Sequence, residues 1–269
     1  MNNESFMRCY DRMIFHPPMR QYYAPGAHYN VGLWLPGITS QHEASEALVQ
    51  RMVDLVGLVD LVERTRRPRV LDVACGLGAS CAVLRARHLA AAVTGINLSV
   101  EQLRHCRDHA PGCTFLAMDA TALAFADGTF DAVLCVEAAF HFQTRAAFLR
   151  EAYRVLKPGG RLVMSDILFR TTRWVGEWMV PGENLVGPDA YRAAYQAAGF
   201  APVAIDDVTL ASWTEFCRRF AAWNQQQMVA GQATERELAR FRETMIGLRD
   251  ESVDQYLLVT ADRPDARAS

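Results

Sequence analysis

The sequence predicts an α/β protein built on a doubly wound parallel sheet. Three observations support this fold class: strand-like and helix-like segments alternate, a glycine turn joins the first strand to the next helix, and a Lys-Pro-Gly-Gly turn precedes the fifth strand. The strand-like runs lie at 69–74, 92–97, 113–118, 130–136 and 160–168, and the helix-like segments lie at 79–88, 100–109 and 145–156. Strands that alternate with helices at this spacing form a parallel sheet with helices packed on it.

The segment that precedes the first strand has two parts. Residues 1–42 are rich in aromatic side chains and contain four prolines, and we expect an irregular arm or lid there rather than a core element. From Glu43 onward, apolar residues recur at the 3- and 4-residue spacing of an amphipathic helix. That helix is predicted to end near 64–67, because basic residues suit the negative end of its dipole and Pro68 cannot continue it.

Four further elements are predicted after the fifth strand. A helix over 188–198 is closed by Gly199, a strand follows over 203–210, and another strand occupies 255–261. A long helical segment at 212–248 lies between those two strands. The sequence therefore continues the α/β pattern and adds a large helical insertion before the final strand.

These boundaries predict the domain organisation. A chain of 269 residues is long enough for one large domain with additions. We expect an aromatic arm or lid over 1–42 and one domain over 43–269, which includes a helical cap at about 169–198 and 212–248.

Composition excludes several classes of partner. The net charge of −2 gives no electrostatic basis for binding nucleic acid. No apolar stretch is long enough to span a membrane. The seven cysteines are scattered without a Cys-x-x-Cys pair, and no basic region followed by an apolar run opens the sequence, so we expect a reduced, cytoplasmic protein.

The glycine turn is the first sign of chemistry. Gly76 and Gly78 stand between a strand and a helix, where a side chain would block the close approach of a nucleotide-like ligand. In dinucleotide enzymes an acidic residue about 20 residues later holds the ribose hydroxyls. Asn97 stands at that distance. An amide is a weaker ribose ligand than a carboxylate, so the sequence argues against an ordinary NAD enzyme.

Polar residues follow three more strands. Asp119 comes after the third strand, where a carboxylate can accept a hydrogen bond from an exocyclic amine such as that of adenine. Glu137 and His141 lie just past the end of the fourth strand, and Asp166 ends the fifth. Ligands of open α/β sheets bind at this carboxyl edge, so these residues are candidates for a shared site.

Together these motifs resemble the class I S-adenosylmethionine-dependent methyltransferases, over about residues 43–210. The resemblance rests on Val-Leu-Asp-Val-Ala-Cys-Gly-Leu-Gly at 70–78, Phe-Asp-Ala-Val at 130–133 and Arg-Val-Leu-Lys-Pro-Gly-Gly at 154–160. It implies a Rossmann-like sheet of seven strands whose last strand, at 255–261, is antiparallel. Gly-Ile-Asn-Leu-Ser at 95–99 and the aromatic-Gly-x-Trp segment at 28–34 resemble the branch that acts on small molecules.

The resemblance also implies a cofactor and its contacts. The cofactor is S-adenosylmethionine, with S-adenosylhomocysteine as product, and no metal is expected. The implied contacts are Tyr29, Trp34, Gly76, Gly78, Asn97, Leu98, Gln102, Asp119, Ala120 and Glu137. Asn97 departs from the acidic residue of the pattern, which leaves the strength of the ribose contact open but not the class of cofactor.

Catalytic roles follow from similarity to the rebeccamycin-type sugar O-methyltransferases. That similarity implies His141 as a general base with Asp166 holding its tautomer or sharing its proton. Two alternatives stay open, since His141 could be a packed ring and Asp166 could only cap or pair locally. Substrate contacts are expected from aromatic residues that could equally be core packing: Tyr22, Tyr23, Trp213, Phe216 and Phe220.

The sequence thus favours O-methylation of a small, largely apolar natural product. Carbon methylation of an indole, terpenoid or polyprenyl unit is the alternative within the same chemistry. A protein that binds the cofactor without methylating, or a cyclase on the same fold, is the alternative from another class. The expected partner is a small-molecule substrate, and the sequence leaves a homodimer open.

Overall fold

The computed structural model describes residues 3–170, 187–231 and 253–265. The expected helical cap falls partly outside these ranges, namely at 171–186 and 232–248. Its described parts are helical: α8 spans Gly187–Ala197 and α9 spans Glu215–Val229.

The described strands form one seven-stranded sheet in the order β3-β2-β1-β4-β5-β7-β6. The strands are β1 Arg69–Val73, β2 Ala92–Asn97, β3 Thr114–Ala117, β4 Phe130–Val136, β5 Leu156–Phe169, β6 Val203–Asp207 and β7 Val253–Asp262. Neighbours from β3 to β5 pair in parallel, whereas β7 runs antiparallel to both β5 and β6. The α/β fold with an antiparallel last strand is therefore confirmed.

The helices follow the predicted alternation. Besides α8 and α9, they are α1 Asn3–Ile14, α2 Pro17–Tyr23, α3 Gln41–Val56, α4 Leu58–Arg64, α5 Ala79–Arg87, α6 Val100–His109 and α7 Arg145–Val155. Ser40 and Glu43 form a reciprocal capping box at the start of α3. The helix predicted to run from Glu43 to 64–67 is interrupted at Gly57, whose φ of 68° ends α3 before α4 begins.

The central strands are buried on both faces. Along β1, Val70 packs into one apolar cluster and Leu71 into the other, because successive side chains of a strand point to opposite faces. The first cluster also contains residues of α2, α3, α5 and α9, while the second contains residues of α7 and α8. This arrangement leaves the carboxyl ends of the parallel strands free to carry loops.

The prediction that the arm over residues 1–42 is irregular is wrong, because α1 and α2 lie there. Pro17 and Pro18 occupy the first turn of α2, where a missing N–H breaks no helical hydrogen bond. These prolines therefore mark the start of a helix. Met19, Tyr22 and Tyr23 of α2 are buried in the first apolar cluster, so this part of the segment is a core element.

Candidate functional site

A cavity of about 330 Å³ opens at the carboxyl ends of the parallel strands. Nine of the expected site residues line it: Tyr29, Gly76, Asn97, Leu98, Gln102, Asp119, Ala120, Glu137 and His141. They come from the loops after β1, β2, β3 and β4 and from the segment between α2 and α3. Residues that are distant in the sequence are thus brought together at the edge where ligands of open α/β sheets bind.

The backbone is strained at two points of this edge. Ala74, after β1, and Glu137, after β4, have φ values of 55° and 51°, and both line the cavity. The left-handed region is unfavourable for residues with a Cβ, and such strain concentrates at functional sites. Two neighbouring strand ends therefore share the feature that marks a binding edge.

The glycine turn has different reasons at its two glycines. A Cβ on Gly78 would lie 3.2 Å from the backbone of Cys106 in α6, so this glycine allows two helices to approach each other. A Cβ on Gly76 would meet no protein atom within 4 Å, although Gly76 lines the cavity. Gly76 therefore leaves room for a ligand, whereas Gly78 has a packing role and does not line the cavity.

Asp72 of β1 connects the two elements on either side of the glycine turn. Its buried carboxylate accepts hydrogen bonds from Ser80 Oγ and Cys81 Sγ at the start of α5. Burial raises the pKa of Asp72 to about 6. These buried hydrogen bonds join β1 to the start of α5, the two elements that the glycine turn connects.

The end of β2 carries a connected set of polar side chains. Asn97 Nδ2 donates to Gln102 Oε1 at 2.9 Å, and Gln102 Nε2 donates to a carboxylate oxygen of Asp11 at 2.7 Å. Ser99 caps α6 by accepting from the Gln102 N–H, and its hydroxyl donates to Asp11. Asp11 belongs to α1, so the N-terminal helix is tied directly to the cavity wall.

Glu137 links the arm to the sheet. Its Oε2 accepts from the Val31 N–H at 3.0 Å and from the Tyr256 hydroxyl at 2.8 Å. Burial raises the pKa of Glu137 to about 7, although both hydrogen bonds favour the ionised form. The residue therefore fixes the segment before α3 against β7 at the cavity edge.

His141 lies in the wall of the same cavity. Its ring meets Tyr10 edge-on at a centroid distance of 5.5 Å and lies 4.1 Å from the ring of Phe140. Burial, and then the charge of Arg145, lowers the pKa of His141 to about 3. The imidazole is therefore neutral at physiological pH, and burial makes it a weaker base than a histidine in water.

The structure does not bring Asp166 into the cavity. Its carboxylate is fully buried, accepts from Arg145 Nε at 2.6 Å and from the Tyr191 hydroxyl at 2.8 Å, and is absent from the cavity lining. We expected Asp166 to orient His141, but its carboxylate forms an ion pair with Arg145. A carboxylate at the end of a buried strand needs a cation nearby, and α7 supplies one.

The expected substrate aromatics also lie outside the cavity lining. Tyr22 packs edge-on against Phe220 at 4.9 Å and tilted against Trp223 at 5.0 Å, while Phe216 stacks on Phe220. The residues that form this aromatic cluster between α2 and α9 are Tyr22, Tyr23, Trp213, Phe216, Phe220 and Trp223. Their spacing reflects packing between elements, which was the alternative interpretation of the sequence.

Trp34 likewise faces the protein interior. Its Nε1 donates to the Val31 carbonyl at 3.1 Å, and the Arg219 guanidinium lies 4.3 Å from its ring centroid. It is not among the cavity-lining residues. Trp34 therefore anchors the arm to α9 instead of contacting a ligand in the cavity.

Sequence reasoning missed the contribution of α1. Met7, Tyr10 and Ile14 line the cavity, and burial raises the pKa of Tyr10, which keeps its phenol protonated. These three residues are spaced by three and four positions, the periodicity of one helical face. This periodicity indicates a helix, whereas the prolines and aromatic residues of the same segment suggested irregular structure.

Two further features concern metal ions and membranes. Within the described ranges, no group of three or more His, Cys, Asp or Glu residues is arranged to hold a metal ion. Among the helices described here, none is both long and apolar enough to cross a membrane.

Comparisons with known proteins identify the family. A family model described as a methyltransferase domain matches residues 71–164. The 27-O-demethylrifamycin SV methyltransferase of Amycolatopsis mediterranei (strain S699) is 30% identical over 89% of this chain and 91% of its own length. The chain belongs to the S-adenosylmethionine-dependent methyltransferases. The erythromycin 3''-O-methyltransferase of Saccharopolyspora erythraea is 29% identical over 72% of this methyltransferase and 69% of its own length.

The fold comparison agrees. A geranyl diphosphate methyltransferase solved with GPP and sinefungin matches this structure with a TM-score of 0.73 at 18% identity. The match covers 97% of this chain and 98% of the other. This likeness confirms the Rossmann-like architecture. The sequence relatives make this protein a methyltransferase of the secondary-metabolite type.

Proposed function

We propose that this methyltransferase methylates a hydroxyl group of a small, largely apolar secondary metabolite, with His141 as the general base. The proposal rests above all on His141, a neutral imidazole in the wall of the cavity at the strand ends. The two relatives described above are both named for oxygen positions, which supports an oxygen acceptor.

The cavity also contains groups that suit the cofactor. The open space above Gly76, the amide of Asn97 and the carboxylate of Asp119 offer a close backbone approach and hydrogen-bond acceptors, as an adenosyl group requires. Asp119 is held by two bonds of 2.7 Å from the N–H and hydroxyl of Thr121. When bound there, S-adenosylmethionine would supply an electrophilic methyl group.

Apolar side chains also line the cavity. They include Met7, Ile14, Val49 and Phe142, alongside the ring of Tyr10. These side chains would exclude water and hold an apolar substrate in one orientation. Orientation of reacting groups supplies roughly 7–11 kcal/mol of rate enhancement, whereas a positioned base contributes about 10²–10⁴-fold. Positioning is therefore the larger of the two contributions that we assign to this site.

His141 would remove the hydroxyl proton during transfer. Because its pKa is lowered to about 3, the imidazole is neutral at neutral pH and carries a proton on one of its two ring nitrogens. The same low pKa makes the protonated ring unstable, so the proton would pass on to solvent before the next turnover.

Replacement of His141 tests the base assignment. We expect His141→Ala to lower turnover by about 10²–10⁴-fold and to leave the affinity for S-adenosylhomocysteine nearly unchanged. His16→Ala, at an exposed histidine with no side-chain capping bond, is the matched control. Unchanged turnover of His141→Ala with an accepted alcohol would remove the histidine from the mechanism.

Carbon methylation is the second candidate. The aromatic rings of Tyr10, Tyr29 and Phe142 line the cavity and could stabilise a developing cation by their faces. Transfer from a cofactor labelled in the methyl group, followed by location of the label on oxygen or carbon, separates the two. Failure to transfer any label to either class of acceptor would favour the alternative of a cofactor-binding protein or cyclase.

A further inference from the structure

Three side chains form a directional hydrogen-bond chain from α1 to the cavity. We propose that Asp11 fixes the amide orientation of Gln102, and through it that of Asn97, so that Asn97 presents its oxygen to the ribose hydroxyls of the cofactor. The inference rests on the cofactor site proposed above. Asp11 itself is not part of the cavity lining and would act as a positioning residue.

The direction of the chain is set by Asp11. A carboxylate can only accept hydrogen bonds, so the end of the Gln102 amide that faces it at 2.7 Å must be the nitrogen. The Gln102 oxygen then faces Asn97 at 2.9 Å, and only the Asn97 nitrogen can donate to it. One acceptor-only group on α1 therefore determines how two amides are oriented.

Two backbone groups agree with this orientation. The Gly76 carbonyl lies 3.4 Å from Asn97 Nδ2, and the Ser99 N–H lies 3.3 Å from Asn97 Oδ1. Both contacts are longer than the two side-chain bonds, so the chain from Asp11 is the stronger constraint. Gln102 and Asn97 are buried, with 1% and 7% exposure, so water competes little for these bonds.

The orientation changes what Asn97 offers to a ligand. Its nitrogen is engaged by Gln102 and Gly76, while its oxygen receives one long bond from the residues that the structure describes and has a second lone pair. Asn97 lines the cavity, so that lone pair is available to a ribose hydroxyl. Asn97 would thus accept a hydrogen bond from the ribose, as an acidic residue does in dinucleotide enzymes, but without a negative charge.

The first experiment measures whether Asp11 acts on hydroxyl recognition. Calorimetry gives the affinities for S-adenosylhomocysteine and its 2′,3′-dideoxy analogue. We expect the wild type to prefer the hydroxylated ligand by about tenfold and Asp11→Ala to lose most of that preference. Asp108→Ala, at an exposed carboxylate of α6, is the control. An equal loss of affinity for both ligands would limit Asp11 to holding α1 and overturn the proposal.

The second experiment reverses the donor pattern. In Asn97→Asp, Gln102 lies between two carboxylates and cannot donate with both ends of its amide. Adding Asp11→Asn supplies an N–H for the Gln102 oxygen and lets the Gln102 nitrogen turn toward residue 97. We expect this second substitution to tighten binding of S-adenosylhomocysteine by about tenfold in the Asn97→Asp background and not to tighten it in the wild type.

Relief of charge repulsion is separated by a matched variant. Asp11→Ala in the Asn97→Asp background removes the same charge but provides no donor. Better rescue by Asp11→Asn than by Asp11→Ala supports the proposal, whereas equal rescue or none overturns it. Absence of S-adenosylhomocysteine binding to the wild type would overturn the cofactor site itself, an outcome distinct from a failure of the Asp11 chain.

Discussion

The two N-terminal helices are adjacent in sequence but serve different parts of the molecule. Helix α1 turns Met7, Tyr10 and Ile14 toward the cavity, whereas α2 turns Tyr22 and Tyr23 toward the aromatic cluster with α9. Aromatic content alone therefore does not identify a substrate contact. The deciding factor is the surface against which each helix face is buried.

The largest expected effect concerns the aromatic cluster. Phe220 is almost fully buried between Tyr22, Phe216 and Trp223. We expect Phe220→Ala to lower the free energy of unfolding by about 3–5 kcal/mol, because the cavity that it leaves cannot collapse fully. Leu210→Ala, at an exposed position just before α9, should change stability by less than about 0.5 kcal/mol. Urea denaturation measures both, and similar values would contradict a core role for the cluster.

The second effect is a pH dependence at Glu137. Its pKa in the folded protein is about 7, above the usual value of 4.5, so the wild type loses stability as pH rises through this range. The Glu137→Gln variant has no such charge to bury. We expect it to gain stability relative to the wild type by up to about 3 kcal/mol near pH 9, and to show no such gain near pH 4.

Denaturation at both pH values checks this sign. Glu63→Gln, at an exposed glutamate, is the control and should follow the wild type. A Glu137→Gln variant that became less stable than the wild type as pH rose would show that the carboxylate stabilises the arm in its ionised form.

The third effect is on the acceptor and separates α1 from α2. Removal of the Tyr10 ring opens the wall beside His141, so Tyr10→Ala should raise the KM for the acceptor by about tenfold. Tyr10→Phe keeps the ring and should stay close to the wild type. A similar rise in KM for Tyr22→Phe would show that α2 also affects acceptor binding, contrary to the separate roles of the two helices.

The smallest effect concerns the Tyr22 hydroxyl. Among the described residues this buried oxygen has no hydrogen-bond partner. Tyr22→Phe should therefore raise the free energy of unfolding by up to about 1 kcal/mol. Tyr256→Phe is the matched comparison, since its hydroxyl donates to Glu137 at 2.8 Å and its loss should destabilise by about 1 kcal/mol. Thermal unfolding of both variants would show opposite shifts, and a shared sign would contradict the assignment.

Local patterns predicted the parallel part of the fold well. The runs at 69–74 and 130–136 are apolar because β1 and β4 are buried on both faces, and this burial is visible in the sequence itself. The antiparallel final strand was predicted only by resemblance, since the polarity of a strand leaves no periodic signal. The glycine turn and the strand ends likewise indicated Gly76, Asn97, Asp119, Glu137 and His141, and all five line the cavity.

Contacts between distant elements were not predictable in the same way. Asp11 meets Gln102 across 91 positions, and Asp166 meets Arg145 and Tyr191 from separate helices. Such pairings depend on how the helices dock, which hydrophobic spacing within each segment does not encode. The same reason explains why Tyr22 and Phe220 were predicted to contact substrate when they contact each other.

We infer that the cavity lined by α1 holds the cofactor, while α2 belongs to the core. Hydrogen exchange with and without saturating S-adenosylhomocysteine tests it most directly. We expect the ligand to slow amide exchange in residues 7–14 of α1 and to leave residues 17–23 of α2 unchanged. Unchanged exchange in α1, or equal protection of both helices, would contradict it.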